Sequence, residues 1–313
     1  MRAFFHFANR HKSVPHSNRK RLGYACGMLS GIAYGLNPLF GLPLLNEYHL
    51  SLDTVLFYRY LIAAIVLTIF LCIRRGFVPI RPAQGGILVV LGILFSLSSL
   101  FLFAAYRYIP SGVSTTIVFL YPVLVALIMV ALKEYPTWQK WVAIATTFAG
   151  VVLLCQPVPG ASYHWLGFLL SFLSALVYAF FVVIINKNKT IASIPTAVLS
   201  LCTLVIGCIV FLLHSIPDGI SWIPDIRAFF LLLGLGLMPT LVSMAALSFA
   251  TRTVGATTAS VLGVLEPITA LTVGVLLFGE GISLSVVIGV CLTIGAIIFM
   301  TITDRSRAKL EST

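Results

Sequence analysis

The sequence predicts an all-α integral membrane protein with ten transmembrane helices, arranged as two inverted repeats of five helices. Three observations lead to this prediction: the scarcity of charge, the length of the apolar runs and an internal repeat. Of the 313 residues, 59% are hydrophobic and 9% are charged, whereas soluble domains contain about 25% charged residues. This composition excludes a soluble globular fold. It also excludes disordered and collagen-like chains, which need polar or Gly/Pro-dominated sequence.

The apolar runs set the number of predicted spans. A helix needs about 20 mostly apolar residues to cross the hydrocarbon core. Ten runs approach or exceed this length: Leu22–Leu45, Thr54–Ile73, Gly85–Phe103, Ser111–Leu132, Trp138–Leu154, Leu166–Ile185, Thr196–Leu213, Ala228–Thr251, Gly255–Phe278 and Leu284–Thr303. The runs are continuously apolar rather than alternating, which excludes a transmembrane β-barrel.

The basic residues predict the orientation of these spans. Residues 1–21 form a basic tail, and residues 304–313 form a second tail. With alternate loops between the spans, these tails place 17 of the 20 basic residues on one side of the membrane. Arg107 and Arg227 lie on the other side and Arg59 lies within span two. Because positive charge concentrates in cytoplasmic loops, we expect a multi-pass membrane protein with both termini in the cytoplasm.

The same distribution bears on partners and processing. Basic residues spread over short loops beside the membrane argue against nucleic-acid binding, which a net charge of +11 would otherwise suggest. The basic tail and span one resemble a signal peptide, but the apolar run is too long and lacks a small-residue cleavage site. We therefore interpret span one as an uncleaved anchor.

The two halves of the chain, residues 22–154 and 166–303, resemble each other. The segment LGYACGMLSGIAYG from Leu22 aligns with LGFLLSFLSALVYA from Leu166 at an offset of 144 residues, which pairs Tyr34 with Tyr178. Further on, AYRYIPSGVSTTIVFLYP aligns with ATRTVGATTASVLGVLEP at an offset of 145. Because five is an odd number, the second repeat must enter the membrane in the opposite orientation. Inverted repeats are typical of secondary transporters, although chance similarity between apolar segments is the alternative.

Paired prolines mark the middle of two equivalent spans. Pro122 and Pro267 occupy corresponding positions in spans four and nine. A proline inside a helix removes one hydrogen bond, so we expect the carbonyls of Val118 and Gly263 to be freed. In hydrocarbon a freed carbonyl must find a partner or line a cavity, and paired interruptions predict a transport site. A simple structural kink is the alternative. Two further prolines, in spans one and eight, could act similarly: Pro38 and Pro239.

Two charged residues lie away from the ends of the predicted spans. Glu266 precedes Pro267 near the middle of span nine, where a charge costs about 3 kcal/mol on insertion scales. It is either a proton-titrating or substrate-facing group, or a structural carboxyl bonded to its neighbours. Arg59 in span two either faces a cavity and attracts an anionic substrate group, or reaches outward to water, Glu47 or Asp53. The repeat partner of Glu266 is Tyr121, so the two halves differ chemically at this position.

Small and polar residues complete the candidate site. Span one carries glycines at every fourth position, which favours close helix packing: Gly23, Gly27, Gly31 and Gly35. Polar side chains that could turn toward a cavity accompany them: Tyr34, Asn37, Ser99 and Thr240.

No enzymatic or cofactor-binding motif was found. The sequence has no phosphate-binding loop and therefore no built-in ATPase. The six cysteines form neither CxxC pairs nor loop pairs, so we expect neither a disulfide nor a metal site. His214 and Asp218 form only a weak acid/base pair at a span end. We therefore expect no cofactor and no enzymatic activity.

The chain resembles the EamA-type carriers of the drug/metabolite transporter superfamily. The residues that carry the resemblance are GIAYGLNPLF from Gly31, LFYRYLIAAIVL from Leu56, YPVLVALIMVALKE from Tyr121 and LEPITALTVGVLLFGE from Leu265. The resemblance covers about residues 20–303. It implies a bacterial inner-membrane carrier with five plus five spans. It also implies a central cavity lined by spans one to four and six to nine, and a substrate such as an amino acid or another small metabolite.

The leading hypothesis is therefore a secondary active transporter, either a permease or an exporter, that works by alternating access. Its expected partners are a small-molecule substrate, the lipid bilayer and, as a candidate coupling ion, the proton. Two rivals stay open at this point: an integral-membrane enzyme acting on lipid-linked substrates, and a passive facilitator of the same fold. Substrate, transport direction, coupling ion and oligomeric state do not follow from the sequence.

Overall fold

The computed structural model describes residues 16–132, 138–154, 164–188, 190–191, 193–217, 219–254, 262–263 and 265–310. All regular elements within these ranges are helices. In the first half they are α1 (His16–Gly35), α2 (Asn37–Asn46), α3 (Leu52–Arg74), α4 (Pro82–Ala105), α5 (Ser111–Val118), α6 (Tyr121–Ala131) and α7 (Trp138–Leu154). In the second half they are α8 (Trp165–Lys187), α9 (Thr196–His214), α10 (Ile226–Leu235), a π-helix (Gly236–Val242), α11 (Ser243–Val254), α12 (Leu265–Phe278) and α13 (Leu284–Leu310).

Seven described segments are long and apolar enough to cross a membrane. They correspond to predicted spans one to four and six to eight: Lys20–Asn46, Leu52–Arg74, Pro82–Ala105, Ser111–Ala131, Trp165–Ile185, Thr196–His214 and Ile226–Ala250. Shorter apolar segments lie at predicted spans nine and ten, namely Leu265–Phe278 and Leu284–Ala296, and the 17-residue α7 lies at predicted span five. Residues 255–261 and 264 of predicted span nine lie outside the described residues. The described part of the chain is thus all-helical, and the protein is a multi-pass membrane protein.

The helices differ from the predicted spans at the two ends of the chain. α1 begins at His16, within the predicted basic tail, and α13 continues past Thr303 to Leu310. Hydropathy marks only the apolar part of a helix, whereas the backbone hydrogen bonds of a helix continue into polar sequence. The tails 1–21 and 304–313 are therefore partly helical.

Three predicted spans are interrupted rather than continuous. Span one divides into α1 and α2 at Leu36, and span four divides into α5 and α6 at Phe119–Leu120. Span eight passes through the π-helix, which contains Pro239. Each interruption lies close to a proline, because a proline cannot donate a backbone hydrogen bond to the preceding turn.

Two serine pairs join the halves in matching ways. The Ser30 hydroxyl donates to the Ser243 carbonyl at 2.9 Å and lies 3.2 Å from the Ser243 hydroxyl. The Ser174 hydroxyl donates to the Ser98 carbonyl at 2.7 Å and lies 3.1 Å from the Ser98 hydroxyl. The repeat offset of 144 relates Ser30 to Ser174, and the offset of 145 relates Ser98 to Ser243. Span one therefore contacts span eight in the same way as span six contacts span three. Two structurally equivalent repeats produce this symmetry.

One face of the helix bundle carries most of the described acidic residues. We refer to it as the predicted outer face, because the charge pattern of the sequence predicts that it lies outside the cell. Here the Glu280 carboxylate accepts hydrogen bonds from the backbone amides of Ser111 at 2.7 Å and Gly112 at 3.4 Å. A carboxylate at a helix N-terminus satisfies amides that have no partner within the helix. Through these hydrogen bonds, Glu280 connects the end of span nine to the start of span four.

Candidate functional site

The interruption of span one places two polar groups in the protein interior. Pro38 has no amide to donate to the Tyr34 carbonyl, and the Asn37 side-chain amide takes its place at 2.8 Å. Asn37 is only 2% exposed. Its Oδ1 atom is buried and has no hydrogen-bond partner in the described part of the chain. A buried acceptor without a partner is costly, so Oδ1 is available to a ligand.

At the interruption of span eight, a side chain likewise replaces the missing backbone donor. Pro239 leaves the Leu235 carbonyl without its usual donor, and the Thr240 hydroxyl donates to that carbonyl at 3.2 Å. The same hydroxyl oxygen accepts a hydrogen bond from Arg59 Nε at 3.1 Å. Thr240 therefore links the π-helix to span two, and π-helical turns occur frequently at functional sites.

Arg59 is buried at the centre of the bundle. Only 2% of it is exposed, and its guanidinium carbon lies 5.4 Å from the centre of the Phe103 ring, a cation–π geometry. The alternative in which Arg59 reaches outward is not observed. The outer carboxylates have other partners: Glu47 pairs with Arg227 at 3.0 Å and Asp53 with His214 at 2.9 Å. Arg59 thus faces the interior.

Glu266 stands in the first turn of α12, directly before Pro267. Its backbone amide donates to the Gly263 carbonyl at 2.9 Å. The expectation that Pro267 leaves this carbonyl free is therefore wrong, because a turn before the helix supplies another donor. Arg59 and Glu266 do not form an ion pair within 4.0 Å, although the structure describes both residues. Neither charge neutralises the other through direct contact.

The glycine stripe of span one positions the backbone around Glu266. A Cβ atom on Gly31 would lie 3.0 Å from the Leu262 carbonyl oxygen, and one on Gly35 would lie 2.5 Å from the Glu266 carbonyl oxygen. Gly27 packs against the Leu262 side chain, and Gly23 against Thr253. Because these positions lack a Cβ atom, span nine approaches span one closely enough to bring Glu266 beside the interrupted part of span one.

Three tyrosines from both repeats lie within electrostatic reach of Glu266. The rings of Tyr121 and Tyr178 meet edge to face with centroids 4.8 Å apart. Tyr34, Tyr121 and Tyr178 each interact electrostatically with Glu266, and Tyr34 also interacts with Arg59. We call Tyr34, Asn37, Arg59, Tyr121, Tyr178, Thr240 and Glu266 the central cluster. It combines one cation, one anion and several neutral hydrogen-bonding groups.

The other candidate residues have supporting positions. Ser99 lies 2.8 Å from the Tyr60 hydroxyl, so it joins span three to span two. Pro122 is the second residue of α6, and Pro267 lies in the first turn of α12. His214 pairs with Asp53, and Asp218 lies outside the described residues. Among those described, no three His, Cys, Asp or Glu side chains are grouped to hold a metal ion.

Sequence reasoning missed three aromatic members of the site. Tyr178 belongs to the central cluster, and Phe103 underlies Arg59. Tyr106 packs on Phe103 with centroids 5.4 Å apart, and its hydroxyl lies 3.3 Å from the Thr115 hydroxyl. The match of Tyr34 with Tyr178 between the repeats was the available signal for Tyr178. Phe103 and Tyr106 gave no such signal, because aromatic residues are common in apolar spans.

Comparison with known proteins identifies the family. A search of the curated proteins finds no match. A solved crystal structure has a similar fold, with a TM-score of 0.61 at 16% sequence identity, covering 91% of this chain and 98% of its own. The model of the EamA-like transporter family matches residues 21–156 and again residues 165–302. The two matches account for most of the chain and for both repeats, and so this protein belongs to the EamA-like transporter family.

Proposed function

We propose that the protein is a secondary active transporter that moves small metabolites, such as amino acids or related compounds, across the inner cell membrane by alternating access. The observation that carries the proposal is the central cluster. It places a buried arginine and a half-buried glutamate within electrostatic reach of the same tyrosine, Tyr34, without an ion pair between them. A charge within the membrane is costly, and a solute with complementary groups would offset that cost when it binds.

Each charged residue has a proposed role. Arg59, held by Thr240 and Phe103, binds an anionic group of the solute. Glu266 binds a cationic group or a proton, and the unpartnered Asn37 Oδ1 accepts a hydrogen bond from the solute. Tyr34, Tyr121 and Tyr178 supply hydroxyl groups and aromatic surface. Most of these side chains lie at helix interruptions, where transporters of several folds bind their substrates.

The proposed architecture has ten spans, both termini in the cytoplasm and two inverted repeats, residues 22–154 and 166–303. The matching serine pairs and the double family match support the repeats, and the basic loops support the orientation. Two equivalent repeats can exchange conformations, opening the central cluster to one side and then to the other. The proton is the candidate coupling ion, because Glu266 can carry one.

The first experiment is a search for the substrate. Metabolite uptake and export are compared in cells with and without the protein. A solute whose distribution depends on the protein is then tested for counterflow in proteoliposomes. A carrier shows saturation and stimulation by solute on the opposite side, whereas a passive facilitator of the same fold shows neither.

The second experiment tests the role of Glu266. Glu266→Gln is expected to lower flux and to remove the response of flux to an imposed pH gradient. Glu47→Gln is the matched control, because it makes the same change at an exposed pair with Arg227. Unchanged flux and unchanged pH response in Glu266→Gln would contradict coupling through this carboxyl.

A further inference from the structure

A polar cavity opens at the predicted outer face, apart from the central cluster. Its volume is about 600 Å³. It is formed where span one ends, span three ends and the loop before span eight folds back. Its lining comprises Leu45, Asn46, His49, Leu50, Ser51, Tyr106, Arg107, Gly219 and Ser221. Both halves of the chain therefore contribute to this outer cavity.

Among the described charged residues around the outer cavity, some have a partner of opposite charge and one, Arg107, has none. The two carboxylates of the neighbouring loop, Glu47 and Asp53, are bound to Arg227 and His214. Arg107 lines the cavity, and no carboxylate of the residues that the structure describes lies within 4.0 Å of it. Among the described residues, Arg107 is thus a positive charge in the lining of a polar space without a carboxylate partner. Charge of one sign in a concave site raises the local concentration of ions of the opposite sign.

The backbone of the outer cavity is held in an unusual conformation. His49 has a φ of 50° although it is not glycine. Such residues persist where the surrounding structure holds them, and they cluster at ligand sites. Here the Leu50 amide donates to the Leu44 carbonyl at 3.1 Å, which closes the turn after α2. This turn places His49 in the lining of the cavity, together with Ser51.

Tyr106 connects the outer cavity with the central cluster. It lines the cavity, its ring packs on Phe103, and Phe103 lies under Arg59. Tyr106 also interacts electrostatically with Tyr34, Arg59 and Glu266. The packed rings of Tyr106 and Phe103 therefore link the outer cavity to Arg59.

We propose that the outer cavity is a binding site for a single small anionic group, a carboxylate or a phosphate, with Arg107 as its main recognition residue and His49 as a hydrogen-bond donor beside it. This goes beyond the transport proposal. On that proposal the anion belongs to a solute that binds at the outer cavity before or after it occupies the central cluster. A lipid headgroup carries the same chemistry.

The test uses the tryptophan beside the cavity. Trp222 follows Ser221 and is 91% exposed. A protein that keeps Trp222 and has Phe at the other three tryptophans, Trp138, Trp141 and Trp165, is placed in zwitterionic nanodiscs. Its fluorescence is quenched by iodide, an anion, and by acrylamide, a neutral molecule.

We expect Arg107→Gln to lower iodide quenching about twofold and to leave acrylamide quenching unchanged. Arg107→Lys and the inner-loop variant Arg75→Gln should retain the original iodide quenching.

Inorganic phosphate then reports binding. At constant ionic strength, phosphate should protect Trp222 from iodide in a saturable manner in the wild type and not in Arg107→Gln. If nanodiscs with phosphatidylglycerol give the same protection, the site favours solutes; if they abolish it, a lipid headgroup occupies the site. The absence of saturable protection in both kinds of nanodisc would overturn the proposal. Saturable protection by phosphate that appears only in the Asp218→Asn variant would also overturn it. The Asp218 carboxylate would then be the group that binds Arg107 in the wild type. None of these readings requires transport, so their outcome is independent of the flux experiments.

Discussion

The charged residues of the predicted outer face and those of the central cluster are arranged in opposite ways. At the outer face, Glu47 pairs with Arg227, and Asp53 pairs with His214. Asp225 accepts a hydrogen bond from Tyr48 at 2.9 Å. In the central cluster, Arg59 is 2% exposed and bonds to a neutral threonine. Glu266 is not its ion-pair partner.

The two arrangements suit different roles: the outer charges connect loops, and the central charges suit recognition of a solute. The outer pairs join the loop after span one to the loop before span eight, and water screens them, so each contributes little to stability. Among the described residues, neither central charge has an ion-pair partner within 4.0 Å, in a setting where charges interact strongly. Outer charges therefore hold loops together, whereas the central charges stay available to a solute. The following predictions test this contrast, from the largest expected effect to the smallest.

Removing the buried arginine should have the largest effect. Arg59→Gln is expected to lower flux at least about tenfold, because a hydrogen bond to a charged group is worth about 1.5–3 kcal/mol. Arg227→Gln removes an arginine from an exposed pair and should leave flux within about a factor of two. Initial rates in proteoliposomes measure both variants. Equal losses in the two variants would contradict the contrast between the regions.

Adding one methyl group to the glycine stripe should disturb Glu266 without changing any charge. In Gly35→Ala the new Cβ atom would lie 2.5 Å from the Glu266 carbonyl oxygen, and such overpacking costs about 1–3 kcal/mol. We expect a lower melting temperature and reduced flux. Gly85→Ala is the control, since nothing lies within 4 Å of its Cβ position and Gly→Ala in a helix is stabilising where there is room. A fully active, equally stable Gly35→Ala variant would refute the positioning role of the stripe.

Thr240 offers a milder change in the same region. Thr240→Val removes the acceptor for Arg59 Nε and the donor for the Leu235 carbonyl. We expect flux to fall about fivefold, corresponding to about 1 kcal/mol for a net hydrogen bond. Thr240→Ser retains the hydroxyl and should recover most of the flux. If Val and Ser variants transport equally well, the hydroxyl does not hold Arg59 in its active position.

The smallest expected effect lies at the outer face and depends on pH. Hydrogen bonds from the Ala228 amide and the Tyr48 hydroxyl help to hold the pKa of Asp225 below its ordinary value. The ionised carboxylate is therefore favoured by folding, and its contribution is present at neutral pH. The contribution is lost as pH falls through the lowered pKa of the folded protein. Asp225→Asn should melt slightly below the wild type at pH 7, and the gap should close in strong acid. A gap that widens with acid would contradict this assignment.

The sequence was sufficient to predict the type of fold and most of the residues at the centre. Composition and apolar runs predicted a multi-pass helical protein, and the quoted motifs predicted the family. Asn37, Arg59, Thr240 and Glu266 could be selected because polar residues in apolar spans are rare or lie beside prolines. Pro38 and Pro122 predicted interruptions in spans one and four. That each interruption divides its span into two separate helices, at Leu36 and Phe119–Leu120, was not predicted, because hydropathy does not distinguish one long helix from two short ones.

Other features could not be read from one sequence for a physical reason. The Arg59–Thr240 bond joins residues 181 positions apart, and local patterns carry no information about such pairs. The Phe103 and Tyr106 side chains contribute through orientation, which depends on packing rather than on residue type. The partner of Arg227 depends on how two loops fold together, and the same holds for the outer cavity.

The central claim is that one buried cluster opens alternately to both sides of the membrane, and cysteine accessibility tests it most directly. In a transporting protein whose six native cysteines are replaced, Tyr178→Cys is exposed to a membrane-impermeant thiol reagent applied from outside or from inside. Ser221→Cys and Arg75→Cys mark the predicted outer and inner faces. The account predicts that Tyr178→Cys reacts from both sides, Ser221→Cys only from outside and Arg75→Cys only from inside. Reaction of Tyr178→Cys from one side alone, in a protein that still transports, would contradict it.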